Sequence, residues 1–149
     1  MRYHKKFRNV KPQILEATKK LRKGWSDATD AEKWIKMDKW VGTASSVYGM
    51  RRPLVVIDRT AGSGYYHIGR NEIHMSNPSI ITVIHEFRHA MQRQGKARGW
   101  SGATADLEHD ARGWSLSIYF KVAPVSFRRL VQEGKIYHIT PADLVPVRV

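Results

Sequence analysis

The sequence predicts an α+β fold in which a small, mostly antiparallel sheet packs against an amphipathic helix, with further helices before and after this unit. Two observations support this fold class. Apolar residues recur at helical spacing before residue 50 and again after residue 78. Residues 53–75, in contrast, hold short apolar or alternating segments separated by glycine-containing connections. The predicted element order is therefore helices, sheet, helices.

Two helices are predicted before residue 50. The first covers residues 12–25 and is basic, with Gly24 near its end. The second runs from a cap at Thr29 or Asp30 to about Tyr48. In each helix the apolar side chains share one face: Ile14, Leu15, Ala17 and Leu21 in the first, and Trp34, Ile35, Met37, Trp40, Val41 and Ala44 in the second. These helices form the N-terminal part of the predicted fold.

Three short strands are predicted next. The segment from Pro53 to Arg59 is β-branched and apolar, which is typical of a buried strand. The segments from Tyr65 to Ile68 and from Glu72 to Met75 alternate in polarity, and residues 69–71 connect them. This pattern predicts a hairpin after the first strand.

A long helix is predicted after the hairpin. Asn77 can cap this helix, Pro78 suits its first turn, and its apolar positions continue until Gly95. A second helix follows from a cap at Ser101 or Thr104 and includes residues 105–120. Its Gly113 predicts a close packing contact or a break, because glycine is unfavourable inside a helix. A shorter helix at residues 125–132 and an irregular tail complete the prediction.

Residues 85–89, His-Glu-Phe-Arg-His, lie in the middle of the long helix. Residues four apart share a helical face, so His85 and His89 can reach one metal ion while Glu86 approaches a water on it. Zinc with three protein ligands lowers the pKa of that water to about 7, and a neighbouring carboxylate can take its proton. The pattern predicts Zn²⁺ bound by His85 and His89, with Glu86 as the catalytic base. The alternative is a helix with two structural, hydrogen-bonded histidines.

A third metal ligand is predicted on the following helix. The chain has no cysteine, so the ligand must be His, Asp or Glu, and the helix offers Glu108, His109 and Asp110. Adjacent helical residues point about 100° apart, so one of the three faces the ion. Small or polar residues continue the face of Glu108 where the two helices would pack: Ala111, Ser115 and Tyr119. We therefore predict Glu108 as the third ligand.

The two motifs together resemble those of the gluzincin-type zinc metallopeptidases. HEFRH stands on one helix, and Glu108, His109, Asp110 and Ala111 form an E-x-x-A pattern on the next. In that family HExxH supplies two ligands and the base, and the first glutamate of E-x-x-A supplies the third ligand. The similarity is greatest to compact phage, prophage and bacterial zincins such as the ImmA/IrrE-like peptidases, and more distant to the SprT-like proteases. It covers residues 53–120.

The length and apolar content predict a single domain over residues 1–149, and the resemblance implies that its core is zincin-like. Residues 1–50 would form basic N-terminal helices, residues 51–120 the metal-site core, and residues 121–149 a C-terminal helix and tail. The implied activity is zinc-dependent hydrolysis of peptide bonds in a protein or peptide substrate. By the same similarity, Glu72 to Met75 would be the edge strand to which an extended substrate adds.

Several residues near the motifs are candidates for supporting roles. An oxyanion-stabilising donor is expected among five side chains: Tyr65, Tyr66, His67, Arg112 and Tyr119. Asp58 and Asp110 are candidates for holding the histidine ligands. His74 is either a cleft residue or an exposed strand residue, and Arg88 is expected to face solvent or form a salt bridge. Simple packing or exposure is the alternative role for the candidate donors.

Composition limits the partners and allows a second function. The sequence shows neither a membrane-spanning apolar run nor a signal-peptide pattern, so a cytoplasmic protein without a membrane partner is predicted. The net charge of +13 would attract polyanions. The alternative function is therefore a basic nucleic-acid-binding or virion-associated protein that retains a zincin fold without essential catalysis. Its tryptophans could stack on bases, although their helical spacing favours core packing.

Overall fold

The computed structural model describes residues 9–97 and 104–134 of the chain. Within these ranges the chain forms five helices and a three-stranded sheet, so the predicted α+β class is confirmed. The elements are α1 (Pro12–Arg22), α2 (Asp30–Tyr48), β1 (Leu54–Ile57), β2 (Tyr65–His67), β3 (Glu72–Met75), α3 (Ile80–Arg93), α4 (Thr104–Val122) and α5 (Pro124–Gln132). The predicted cap Ser101 and the predicted tail beyond residue 134 lie outside the described residues.

Local side-chain chemistry explains the ends of α2. The Thr29 hydroxyl accepts a hydrogen bond from the Glu32 backbone, and the Glu32 carboxylate accepts one from the Thr29 backbone, both at 3.2 Å. This reciprocal cap satisfies two N–H groups that a helix start would otherwise leave unpaired. At the other end Gly49 adopts φ 60°, a left-handed conformation that glycine accepts without strain. The predicted bounds of α2 are confirmed.

The start of α3 corrects two predictions. Ser79, and not Asn77, is the capping residue, and its hydroxyl accepts a hydrogen bond from Thr82 N at 3.3 Å. Ser79 is extended, with φ −152°, so Pro78 precedes the helix and does not lie in its first turn. The Asn77 amide instead donates to the Ser76 hydroxyl. Both residues have capping side chains, and the sequence alone did not distinguish them.

The sheet corrects two predictions about strand arrangement. Its order is β1-β3-β2, with β3 parallel to β1 and antiparallel to β2. The sheet is therefore mixed, and Glu72–Met75 is its central strand where an edge strand was expected. After β1 the chain crosses to the far side of the sheet, and the hairpin then returns β3 into the space between β1 and β2. Ile73 and Met75 in β3 are fully buried, which favours the central position.

The first strand was predicted to be buried, but it forms an edge of the sheet. Leu54 is 58% exposed and Ile57 is 56% exposed, because only one side of β1 has a strand partner within the described residues. A continuous apolar run therefore did not indicate burial here. At the opposite side of the sheet β2 is the other edge, and it lies against α3.

The main core lies between the N-terminal helices, α3, α4 and the inner face of the sheet. Phe87 of α3 is at its centre, with its ring 5.2 Å from that of Trp40 and 6.3 Å from that of Trp114. Trp40 and Trp114 are buried, and Trp25 and Trp34 pack against the same core. The preference for tryptophan in core packing is confirmed for these four, while Trp100 lies outside the described residues.

Helix α4 continues through Gly113 without a break. Gly113 is buried, and its carbonyl accepts a hydrogen bond from the Ser117 hydroxyl, so the close-packing alternative holds. The C-terminal half of α4 packs against α5 in a second apolar cluster built from Leu116, Phe120, Phe127 and Val131. None of the helices in the described ranges has the length and apolarity needed to cross a membrane.

Candidate metal centre

The packing of α3 on α4 brings the three predicted ligands together. His85 and His89 lie one turn apart on α3, and their rings are 5.0 Å apart. Glu108 on α4 faces both, with Oε2 at 3.2 Å from His85 Nε2 and Oε1 at 2.8 Å from His89 Nε2. One ligand atom from each residue lies within 4.8 Å of the other two. Among the described residues, no other three His, Asp or Glu side chains are placed in this way.

The orientation of His89 is fixed by Gln92. The Gln92 amide nitrogen donates to Leu107 O at 3.0 Å and to Asp110 Oδ2 at 2.9 Å. Its amide oxygen therefore faces His89 Nδ1, at 2.7 Å, and must accept a hydrogen from it. His89 thus carries its hydrogen on Nδ1 and presents Nε2 to Glu108. A histidine that binds a metal through one nitrogen commonly donates from the other in this manner.

This donor set fits a divalent cation. His89 Nε2 lies 2.8 Å and His85 Nε2 lies 3.2 Å from the Glu108 carboxylate, so a single cation could be bound by all three side chains. Two imidazole nitrogens and one carboxylate oxygen are ligands that zinc accepts, and three protein ligands leave a position open for catalysis. The residues present therefore fit the predicted ion.

Gln92 contacts a buried ion pair between Arg88 and Asp110. Asp110 is completely buried and accepts from Arg88 Nε at 2.8 Å and Arg88 Nη2 at 3.2 Å, while the guanidinium lies 5.1 Å from the centre of the Trp114 ring. Arg88 was expected to face solvent or form a salt bridge, and it forms a buried one. Asp110 was a candidate for holding a histidine ligand. It reaches His89 through Gln92, because its carboxylate accepts from the Gln92 amide.

Asp58, the other candidate for supporting a ligand, contacts His74 of β3 and neither of the two candidate histidine ligands. Its Oδ2 is 2.9 Å from His74 Nδ1, and Glu72 Oε1 is 3.0 Å from His74 Nε2. The ring of Tyr65 stacks on His74 with the ring centres 4.8 Å apart. His74 is therefore neither an exposed strand residue nor a cleft residue, and this polar cluster instead joins β1, β2 and β3 on the outer face of the sheet.

Burial shifts the pKa values of the adjacent motif residues His85 and Glu86 in opposite directions. Glu86 is 7% exposed, and burial raises its pKa to about 7, with a smaller opposing effect from His89. A carboxylate with this pKa is well matched to accept a proton near neutral pH. Burial also lowers the pKa of His85 to about 4, so its imidazole is neutral and its lone pair is available for a metal.

A cleft of about 520 Å³ opens in front of these residues. It lies between β2 on one side and α3 and α4 on the other, and both Glu86 and the three candidate ligands line it. Gly64, just before β2, allows this close approach. It has φ 138°, and a Cβ there would lie 2.9 Å from Thr82 Cγ2 and 3.1 Å from His74 O.

Three of the five candidate oxyanion donors line the cleft. His67 and Tyr119 are not among its lining residues, whereas Tyr65, Tyr66 and Arg112 are. The Tyr66 hydroxyl donates to Asn71 at 2.6 Å, and the Tyr65 hydroxyl lies 3.4 Å from Asp58. Both hydroxyls are thus engaged within the sheet region. Arg112 is the candidate whose polar end remains exposed at the cleft.

Sequence reasoning missed two residues of this region. Gln92 orients His89, and Arg93 lines the cleft. Both follow His89 by one helical turn, at i+3 and i+4, so helical spacing could have placed them beside the metal motif.

Comparison with known proteins adds no further assignment, because no protein-family model, no curated protein and no solved structure matches the chain.

Proposed function

We propose that this protein is a zinc-dependent metallopeptidase with a zincin-like fold. The observation that carries the proposal is the convergence of His85, His89 and Glu108 on one point beside the buried carboxylate of Glu86. The HExxH pattern supplies three of these residues, and a separate helix supplies the fourth. Agreement between motif, spatial convergence and an open cleft supports a catalytic site more strongly than any one of them.

Each residue has a defined part in the proposed reaction. Zinc held here would act as a Lewis acid that polarises a carbonyl and makes water more acidic. Glu86 accepts the proton of the attacking water and passes it to the leaving amine. Gln92 keeps His89 in the tautomer that presents Nε2 to the centre.

The edge of the sheet provides a place for an extended substrate. Within the described residues β2 pairs with β3 on one side only, and β2 itself borders the cleft. A peptide lying along β2 could form strand-like hydrogen bonds while one of its amide bonds faces Glu86. In the proposed function β2 takes the role that the sequence had predicted for Glu72–Met75.

Metal content is the first test of this proposal. Purified without added metal or a histidine tag, the wild-type chain should contain about one zinc by mass spectrometry, as expected for a three-ligand site. His89→Ala and Glu108→Ala should each lose it. His109→Ala, which removes an exposed histidine next to Glu108, is the matched control and should keep it. A folded wild-type chain that neither contains zinc nor binds added zinc would contradict the proposal.

Hydrolysis then tests the role of Glu86. Glu86→Gln should retain zinc and the native fold and lose peptide hydrolysis by a factor of about 10² or more, because the base is removed and the ligands are kept. Glu16→Gln, on the exposed surface of α1, is the control and should hydrolyse peptides as the wild type does. Undiminished hydrolysis by Glu86→Gln would remove Glu86 as the base.

A further inference from the structure

Two arginines line the cleft on its helical wall. Arg93 follows His89 by four residues on α3, and Arg112 follows Glu108 by four residues on α4. Each guanidinium is therefore carried on the same helical face as a candidate metal ligand, one turn further along. Both residues are exposed.

The two arginines lie toward opposite ends of the cleft. Helices α3 and α4 run antiparallel, since Gln92 contacts Leu107 while Arg88 contacts Asp110. A residue late in α3 therefore lies near the start of α4, and Arg112 lies toward the start of α3.

The opposite end is marked by Tyr66. Gln94, directly after Arg93, donates from Nε2 to Asn71 Oδ1 at 3.3 Å, and the same oxygen accepts from the Tyr66 hydroxyl at 2.6 Å, so the end of α3 lies beside Tyr66. Arg93 and Arg112 thus flank the candidate metal centre, one on each side.

Neither cleft arginine forms a salt bridge within residues 9–97 and 104–134. Other arginines in these ranges do: Arg52 pairs with Asp38 at 2.9 Å, and Arg88 pairs with the buried Asp110. The carboxylates inside the cleft are Glu86 and Glu108, which the proposed function assigns to proton transfer and metal binding. The cleft therefore presents two guanidinium groups to whatever enters it.

We propose that the cleft selects acidic peptides, with Arg93 and Arg112 binding carboxylate side chains on the two sides of the scissile bond. This inference rests on the proposed function and names its substrate class. A guanidinium binds a carboxylate through two parallel hydrogen bonds, which gives both affinity and orientation. The net charge of +13 would draw the same acidic chains toward the molecule before they reach the cleft.

The observations favour a peptide over a nucleic acid in this cleft. Binding of single-stranded nucleic acid relies on exposed aromatic rings that stack on bases. Trp40 and Trp114 are buried in the core, and the Tyr65 ring at the cleft already stacks on His74. In the part of the chain that the structure describes, β2 has a strand partner on one side only, and its other edge offers backbone groups that can pair with a peptide chain.

Binding to the zinc-loaded Glu86→Gln chain tests the inference without catalysis. The probes are a short fluorescein-labelled peptide rich in alanine and leucine with glutamates on both sides of its centre, and the same peptide with glutamine at those positions. We expect the glutamate peptide to bind about tenfold more tightly. Adding Arg93→Gln or Arg112→Gln should reduce this preference, and adding both should abolish it.

A matched control separates the cleft from general charge. Arg128→Gln removes the same charge from the exposed surface of α5, outside the cleft, and should leave the preference unchanged. The zinc content of each variant confirms that its metal centre is intact. Equal binding of both peptides, or a preference that persists in the double variant, would overturn the inference. So would displacement of the peptide by an oligothymidine with equal, arginine-dependent affinity.

Hydrolysis by the wild-type chain distinguishes failure of the inference from failure of the proposed function. A mixed peptide library should be cleaved mainly where Asp or Glu lies near the broken bond, and the mass spectra of the products identify these sites. Cleavage without an acidic preference would refute the inference and leave the metallopeptidase proposal standing. Arginine-dependent binding of the glutamate peptide with no cleavage at all would refute the peptidase proposal and support the cleft as a binding site.

Discussion

At the scale of single residues, the arrangement around His89 depends on a chain of polar side chains. The Asp110 carboxylate accepts hydrogen bonds from Arg88 and from the Gln92 amide nitrogen, and the Gln92 amide oxygen accepts one from His89. Two of these contacts are made by buried groups, where an unpaired donor or acceptor is costly. The chain therefore couples the orientation of a candidate ligand to the packing of α3 on α4.

Replacing Gln92 with leucine should weaken zinc binding by about 10- to 100-fold, because His89 loses the acceptor that sets its tautomer. The same change leaves Leu107 O and Asp110 without the amide donor and should lower the free energy of unfolding of the metal-free chain by about 1–3 kcal/mol. Competition with a chelator measures the first effect, and urea unfolding measures the second.

The matched control for this prediction is Gln132→Leu at the exposed end of α5, which should change neither quantity. Loss of stability without loss of zinc affinity would show that Gln92 has a packing role alone. Unchanged zinc affinity and stability together would contradict the hydrogen-bond chain.

At the scale of elements, the outer face of the sheet contains a histidine between two carboxylates. Burial lowers the pKa of His74, but its hydrogen bonds with Glu72 and Asp58 outweigh this effect and the pKa is raised. Hydrogen bonds from Thr60 and His74 lower the pKa of Asp58 to about 2. The cluster therefore favours a charged His74 and a charged Asp58, and it links all three strands.

The contribution of this cluster to stability should decrease both when the pH rises and when the pH falls. A raised folded-state pKa means that His74 stabilises the fold fully below its unfolded pKa of about 6.5 and loses this contribution as pH rises through the folded value. A lowered pKa means that Asp58 stabilises above its unfolded value of about 4 and loses this contribution as pH falls toward 2. Urea unfolding at several pH values should show the greatest contribution of the cluster between about pH 4 and 6.5.

Replacing His74 with glutamine should remove the part of the loss of stability above pH 6.5 that arises from His74, while the part that arises from Glu86, whose pKa is raised to about 7, should remain. His67→Gln, on the neighbouring strand, should leave that loss in place. An identical pH dependence for wild type and His74→Gln would show that the cluster contributes no linked protonation.

At the scale of the whole molecule, the positive charge extends well beyond the cleft. The last turn of α1 contains the exposed residues Lys19 and Lys20 and the half-buried Arg22, and the exposed Lys23 directly follows the helix. Lys19 is partly neutralised by Glu16 at 3.0 Å. If this face attracts polyanions, as the alternative function requires, the attraction arises from counterion release and weakens with salt.

Replacing Lys19, Lys20, Arg22 and Lys23 at the end of α1 with glutamate should weaken binding of single-stranded DNA. The salt dependence should also flatten, by about 0.7 in the log–log slope for each phosphate that the variant no longer neutralises. Titrations at several salt concentrations measure both effects. The Arg93→Gln, Arg112→Gln double variant is the comparison, because it changes the cleft and leaves the α1 face intact. DNA binding that is absent or independent of salt would count against the alternative function.

The helices and the position of the two histidines follow from the sequence, because they depend on interactions between residues close together in the chain. Helical spacing predicts five helices that the structure contains, and the cap at Thr29 and the glycine at residue 49 specify the ends of α2 through contacts within a few residues. The same locality places His85 and His89 on one face. Selecting Glu108 from its neighbours needed only the geometry of one helix, and the structure brings this residue to both histidines.

The tertiary structure decided what depends on residues far apart in the chain. The position of β3 between β1 and β2 results from the path of the chain across the sheet, which strand propensity does not encode. The partners of Asp58, Asp110 and Gln92 were likewise not predicted, because hydrogen bonds between elements require their relative positions. The sequence by itself thus determined the elements and the three residues proposed as ligands. Packing decided which surfaces surround them, because burial and charge in the cleft arise only when β2, α3 and α4 meet.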